Sequence, residues 1–411
     1  MSQNSRNYSI TDILVREFER FKNNYPLPLH VIRTVHSIID CRTPVFGGHM
    51  FECPDEHFSL ILFNSCKKRN CPTCQHAEME YWAHVQKERI LNTGHYHIVF
   101  KHPDFLHREF LSNYSEYANL LFDAAGDTLK ELSGNRIKPG IILILHTHGR
   151  NNEIHPHIHC AITDGGMNER GEYERFDESL MSSENISRIF QKQYLRKLRK
   201  RLKNGRIAHE TESQEFTSMI SKKGMSVFVS NRYDRGEWLI SYFARNSRGG
   251  SIRNNQILHI DEEKIRYRYL DAGKSQVETE MNIDTFIQRF LYHIPPDRFN
   301  TIRYYGLYST GCVEDYQKIR KLLNQKVYTK PERKGVGEKE TMVCPVCGKS
   351  LIHREIFSRN SIPFLLLKKL KFNPEAIRSL YWMNPDKIRG LKYHWIEPPT
   401  SNSETVANRI A

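Results

Sequence analysis

Apolar side chains at Ile10, Ile13, Leu14 and Phe18 recur at helical spacing, and a second helical set follows at Leu29, Ile32, Val35, Ile38 and Ile39. Pro26 and Pro28 separate the two segments, because proline cannot continue a helix interior. Further helices are predicted over 76–91, 110–132, 187–203, 237–246 and 284–292; Leu111, Tyr114, Ala118, Leu121 and Phe122 share one face of the second. Strand patterns occupy 95–103, 141–148, 157–164 and 227–233, with two more at IRYRYLD (265–271) and SQVETEMN (275–282). The segment GRNNEIHP between the second and third strands has hairpin-loop composition. The polar, charge-rich stretch 329–340 reads as a linker.

The 411 residues suffice for two or three domains. A net charge of +14 favours a polyanion as partner, since each neutralised phosphate releases counterions. No apolar run is long enough to span a bilayer, and the opening MSQNSRNYSITD lacks the apolar core of a secretory signal, so a cytoplasmic, DNA-associated protein with no membrane partner is expected. Five of nine cysteines crowd between Cys41 and Cys74, with His49 and His57 among them. A reducing compartment disfavours disulfides, and so short a stretch builds a poor core unaided, which points to zinc on N and S ligands. Lys67, Lys68 and Arg69 sit in the loop before Cys71-Pro-Thr-Cys74 and suit phosphate contact. A later pair, Cys344 and Cys347, lacks an obvious second pair, with Cys312 and His353 as candidates.

The densest chemistry is His155-Pro-His157-Ile-His159. Side chains alternate along a strand, so His157 and His159 share a face, about 7 Å apart by the strand rise. A hairpin brings His146 or His148 of the preceding strand beside them, giving three imidazoles that suit Mg²⁺, Mn²⁺ or Zn²⁺. Cleaving a phosphodiester also needs a nucleophile. Tyr242 lies on the 237–246 helix, with Arg245 and Asn246 on its face at i+3 and i+4. The 187–203 helix carries a cationic run, Lys192, Arg196, Lys197, Arg199, Lys200, Arg201 and Lys203, fit to line a path for a nucleic-acid strand. Arg303, Tyr304 and Tyr305 are candidates for pairing or stacking with bases.

LHTHG (145–149), HPHIHC (155–160) and DGG (164–166) together resemble the His-hydrophobic-His core of HUH endonucleases. CRTPVFGGH (41–49), NSCKKRNCPTCQ (64–75), YFARN (242–246) and FIQRFLYHIPPDRFNTIRYYGLY (286–308) extend the resemblance to rolling-circle insertion-sequence transposases with an N-terminal zinc-binding region. The resemblance implies that Tyr242 attacks single-stranded DNA, keeps the 5′ end as a phosphotyrosine and frees a 3′-OH. It implies His157 and His159 as ligands of Mg²⁺ or Mn²⁺, with His146 third and Asn246 and His155 as runners-up. Family members with two tyrosines space them four residues apart; here position 246 is Asn, which implies a single-tyrosine variant resembling insertion-sequence common-region transposases. Its partners would be single-stranded or hairpin-bearing transposon ends, and an oligomer is compatible with the scheme. The family has a second cysteine shortly after the position of Cys53; here His57 takes that role, and we expect Cys53, His57, Cys71 and Cys74 on one zinc, with Cys41, His49 and Cys66 on another.

The expected fold class is α+β. A helical segment (1–40) and a zinc-binding module (41–80) precede a nuclease domain (88–260) with a central antiparallel sheet flanked by helices. A helical, DNA-docking extension (261–328) follows, and then a linker and C-terminal module (329–411). A relaxase or replication initiator shares the nicking chemistry, and a non-catalytic zinc-dependent regulator is the alternative of another class. The absence of a GxxxxGK[ST] motif favours the transposase.

Overall fold

The computed structural model describes residues 8–134, 136–209, 213–247, 251–271, 273–332, 342–359 and 394–395. In chain order the helices are α1 (Ile10–Asn24), α2 (Leu29–Ile39), α3 (Gln75–Arg89), α4 (His107–Ser112), α5 (Tyr114–Leu132), α6 (Ser183–Lys203), α7 (Ser213–Lys223), α8 (Gly236–Ser247), α9 (Ile283–Tyr292) and α10 (Val313–Leu322). The strands are β1 (Gly48–Glu52), β2 (Ser59–Phe63), β3 (His95–Lys101), β4 (Lys138–His148), β5 (Ile154–Met167), β6 (Tyr173–Arg175), β7 (Val227–Val229), β8 (Ile257–Ile260), β9 (Lys264–Leu270), β10 (Gln276–Asn282), β11 (Ile302–Gly306), β12 (Ile352–Phe357) and β13 (His394–Trp395). The fold is α+β. Among the described residues no helix is long and apolar enough to cross a membrane.

The described residues divide into two compact units: those within 76–331 together with 8 and 25–31, and those within 9–24 and 32–75 together with 332, 342–359 and 394–395. The larger unit is built on an antiparallel sheet of order β11-β4-β5-β3-β7, with β6 paired to β5. Strand alternation sorts its side chains into two cores. Ile98 and Phe100 of β3, Leu143 and Leu145 of β4, and Ile158, Cys160 and Ile162 of β5 pack with α5 and α6 through Leu121, Phe122, Phe190 and Tyr194. The intervening residues Ile142, Ile144 and Ala161 pack on the opposite face with Leu239, Ile240 and Phe243 of α8. Covering both faces explains why β4 reads as an unbroken apolar run, IILIL, rather than an alternation. The predicted 110–132 helix breaks at Asn113, whose backbone (φ −140°, ψ 60°) leaves the helical region, so α4 and α5 are separate.

The two strands predicted at 265–271 and 275–282 form as β9 and β10, and the strand not predicted within the 261–328 extension is β11. β8, β9 and β10 form a three-stranded sheet, and β11 hydrogen-bonds along β4 from Ile302 opposite Ile144 to Gly306 opposite Gly140, as an edge of the main sheet. Gly306 has φ 55°, and a Cβ there would collide with the Pro139 carbonyl, so the position favours glycine.

In the smaller unit, α1 starts with a reciprocal pair: the Asp12 backbone N–H donates to Ser9 Oγ at 3.1 Å and the Ser9 N–H donates to Asp12 Oδ2 at 3.0 Å. Its sheet runs β12-β1-β2-β13, all antiparallel. The C-terminal segment was expected to form a module of its own. Instead β12 pairs along β1, Gly48 opposite Phe357 and Glu52 opposite Ile352, because the β1–β2 hairpin leaves an open edge that the late strand covers.

Candidate metal and nucleophile centre

β4 and β5 are in register with His146 opposite His157 and Ile144 opposite His159. Ile144 points to the α8 face, and so, by the period of two, do His146, His157 and His159. The three rings converge: His146 Nδ1 lies 3.2 Å from His157 Nε2, and His157 Nε2 lies 3.1 Å from His159 Nε2. All three are buried. Burial holds the imidazole of His157 down at about 3 and that of His159 well below its ordinary value, so both are neutral near pH 7.

The non-converging nitrogens are held from behind. His157 Nδ1 lies 2.7 Å from the His155 carbonyl oxygen, and an N–H donated there leaves Nε2 as a lone pair. His159 Nδ1 lies 2.9 Å from Nε2 of His97, which β3 supplies from the same face. Sequence reasoning missed His97. The available signal was His95-Tyr-His97, a second alternating His pair on a predicted strand. His95 points the same way but is fully buried, with Nε2 3.0 Å from Tyr308 Oη and Nδ1 2.9 Å from the Thr93 carbonyl oxygen.

α8 lays Tyr242 over this face. Its ring centroid is 5.3 Å from that of His97 and 6.1 Å from that of His159, and the side chain remains 39% exposed. Burial raises the phenol above its ordinary value, with Tyr233 adding to the rise and Arg150 opposing it. α8 continues through Arg245 and Asn246, whose side chains lie outside the described residues.

The ladder between β4 and β5 shifts register after His146. Beyond that shift His148 packs against His146 and His293, ring centroids 3.8 and 5.2 Å away, and His155, its ring 5.2 Å from that of His157, groups its ligand nitrogen with Asp104 and His107. Local bulges of this kind re-aim side chains at strand ends.

The cysteines form two groups, and the grouping differs from the expected one. Cys41, Cys66, Cys71 and Cys74 converge, with Cys66 Sγ 3.6 Å from Cys74 Sγ. Cys53 and His57 meet Cys344 and Cys347 instead of Cys71 and Cys74. The hairpin explains this: Cys41 and Cys66 flank its open end and Cys53 stands at its turn, and a five-residue strand sets the ends about 17 Å apart. His49 joins neither group; its Nδ1 lies 3.2 Å from Nε2 of His353. Cys312 falls in the other unit. Lys67 is exposed, and Lys68 and Arg69 are half-buried, in the loop that ends at Cys71.

The basic helix α6 is partly neutralised. Lys192 pairs with Glu131 at 2.7 Å, Arg196 and Lys197 with Asp127 at 2.8 and 2.6 Å, and Arg201 with Asp123 at 2.7 Å. All three acids lie on α5, and Arg199 and Lys200 stay exposed. The residues expected to stack on bases pack inward in part: the Arg303 guanidinium lies 4.1 Å over the Phe122 ring, and Tyr304 Oη accepts a hydrogen bond from Trp82 Nε1 at 3.2 Å.

Residues 13–101 match a family model described as "Transposase zinc-binding domain", and residues 140–315 match one described as "Putative transposase". The chain is 27% identical over 361 residues to "Putative transposase y4qJ" of Sinorhizobium fredii (strain NBRC 101917 / NGR234), covering 83% of this chain and 91% of the relative. It is 26% identical over 373 residues to "Transposase for insertion sequence element IS801" of Pseudomonas savastanoi pv. phaseolicola, covering 86% and 89%. No solved structure matches the chain. Over these two spans, and in this order, the chain is similar to transposases that carry an IS91-type zinc-binding domain followed by a Y2-type transposase domain.

Proposed function

We propose that the chain is a transposase that nicks and rejoins single-stranded DNA by the HUH route, with Tyr242 as nucleophile and His146, His157 and His159 as the seat of a divalent cation. The observation that supports it most is the Tyr242 ring standing 6.1 Å from that of His159, over the face where the three imidazoles converge. The donor set fits a cation: three buried imidazoles, two of them fixed from behind by the His155 carbonyl and His97. Mg²⁺ or Mn²⁺ bound there would polarise a non-bridging oxygen of the scissile phosphate.

Tyr242 then works by transesterification. Its phenol oxygen bonds to phosphorus as the bond to the 3′ oxygen breaks. The phenolic proton passes to solvent, and the departing oxygen takes one up as a free 3′-OH. The 5′ phosphotyrosine retains the bond energy for rejoining without ATP. Because burial raises the phenol, positive charge close by is needed to favour the phenolate, and Arg150 supplies part of it. The four-cysteine group fits the zinc of the transposase zinc-binding domain, with Lys67, Lys68 and Arg69 in its loop toward DNA phosphate. The substrates under this reading are single-stranded or hairpin-bearing element ends.

The test is incubation with single-stranded oligonucleotides carrying the element's ends. A covalent adduct at a 5′ phosphate on a denaturing gel, lost in Tyr242→Phe and in excess EDTA and restored by Mn²⁺, is expected. Full nicking in EDTA would refute the cation's role.

A further inference from the structure

The group Cys53, His57, Cys344 and Cys347 lies partly outside the matched zinc-binding domain, which covers residues 13–101. We propose that these four residues bind a second structural zinc, and that this ion fastens the C-terminal segment into the N-terminal zinc-binding fold. Cys53 Sγ lies 3.5 Å from Cys347 Sγ, 294 positions along the chain, and 3.8 Å from His57 Nδ1. A tetrahedron with zinc–sulfur bonds of about 2.3 Å has edges of roughly 3.8 Å, so these spacings suit one shared ion. All four ligand atoms lie within 4.8 Å of one another.

Each half of the site is a tight loop that aims its donors. In the first, the Cys53 N–H donates to the Phe58 carbonyl at 2.8 Å and the Glu56 N–H to the Cys53 carbonyl at 2.9 Å. In the second, the Cys344 N–H donates to the Lys349 carbonyl at 2.7 Å, and the Gly348 N–H to the Cys344 carbonyl at 2.8 Å. Gly348 takes φ 71°, which closes the turn just after Cys347. An ion pair joins the two loops, Lys349 Nζ to Asp55 at 2.8 Å. Around them the apolar cluster consists of Phe51, Phe58 and Leu60 with the partly buried Met342 and Leu351, a small core of the kind that metal supplements. The Cys41 group accounts for a separate ion. The proposal does not depend on the nuclease chemistry.

Zinc content of the purified full chain tests it. The Cys344→Ser/Cys347→Ser variant should lose one zinc equivalent relative to the parent, whatever the histidine site holds. His57→Cys should keep the parent's zinc content, and after cobalt substitution its visible bands should move toward those of a four-thiolate site. Unchanged zinc content in a folded Cys344→Ser/Cys347→Ser protein overturns the proposal. Where that variant does not fold, an unchanged cobalt spectrum in His57→Cys overturns it instead.

Discussion

Nε2 of His97 lies 2.9 Å from Nδ1 of His159, so a residue outside the converging trio sets the orientation of one of its members. Removing a partner of this kind costs metal affinity on the order of 10–100-fold. His97→Ala should therefore weaken Mn²⁺ binding by that factor in isothermal titration. Adduct formation should recover as Mn²⁺ is raised. Wild-type Mn²⁺ affinity in the variant would remove His97 from the scheme.

Tyr242→Phe deletes one oxygen from a side chain that is 39% exposed. The adduct should vanish, while oligonucleotide affinity and the melting temperature stay close to the parent's. Anisotropy and thermal melts check the second half. A variant that still forms the adduct would move the nucleophile elsewhere.

On α6 the cations should separate into two classes. Lys192, Arg196, Arg199 and Lys200 are all exposed, but the first two are engaged by Glu131 and Asp127, whereas Arg199 and Lys200 have no ion pair among the described residues. Replacing Arg199 and Lys200 with Ala should weaken single-strand binding and make its salt dependence shallower by about 1.4, at roughly 0.7 per phosphate contact. Replacing Lys192 and Arg196 should change the salt slope less. Equal slopes for the two double variants would count against α6 as a strand path.

Acid should loosen the larger unit through His95. Burial brings this imidazole down to about 4, whereas an unfolded chain carries it near 6.5. Between those values the unfolded state binds more protons. The contribution of the neutral ring is therefore complete above about pH 6.5 and is lost as pH falls toward 4, roughly 3 kcal/mol across the window. Urea melts at pH 7.5 and 5.0 should show a smaller pH-dependent loss for His95→Gln than for the parent. Equal losses would assign the acid sensitivity to other groups.

The parts legible in the sequence were those whose determinants are local. Two strands bearing His146, His157 and His159, a hairpin between them and the helix carrying Tyr242 all follow from periodicity over a dozen residues. What escaped was fixed by distant partners. His97 matters only because β3 pairs with β5 in the register that sets Val99 opposite His159. Cys53 reads as a mate for Cys71 until the length of β1 is considered, and its actual neighbour Cys347 lies at the far end of the chain. The cations of α6 read as free because the carboxylates that bind them belong to another helix, α5. β11 was obscured because Arg303, Tyr304 and Tyr305 look like ligand-facing residues, yet their strand is held as an edge along β4.

The pairing of β1 with β12 also orders events in time. About 300 residues separate the two strands, and at roughly 5–20 residues per second a ribosome needs about 15–60 s to deliver the second after the first. Throughout that interval the outer edge of β1 is uncovered. All of β3 through β11 emerges before β12 does, so the part of the protein made first is among the last to be finished.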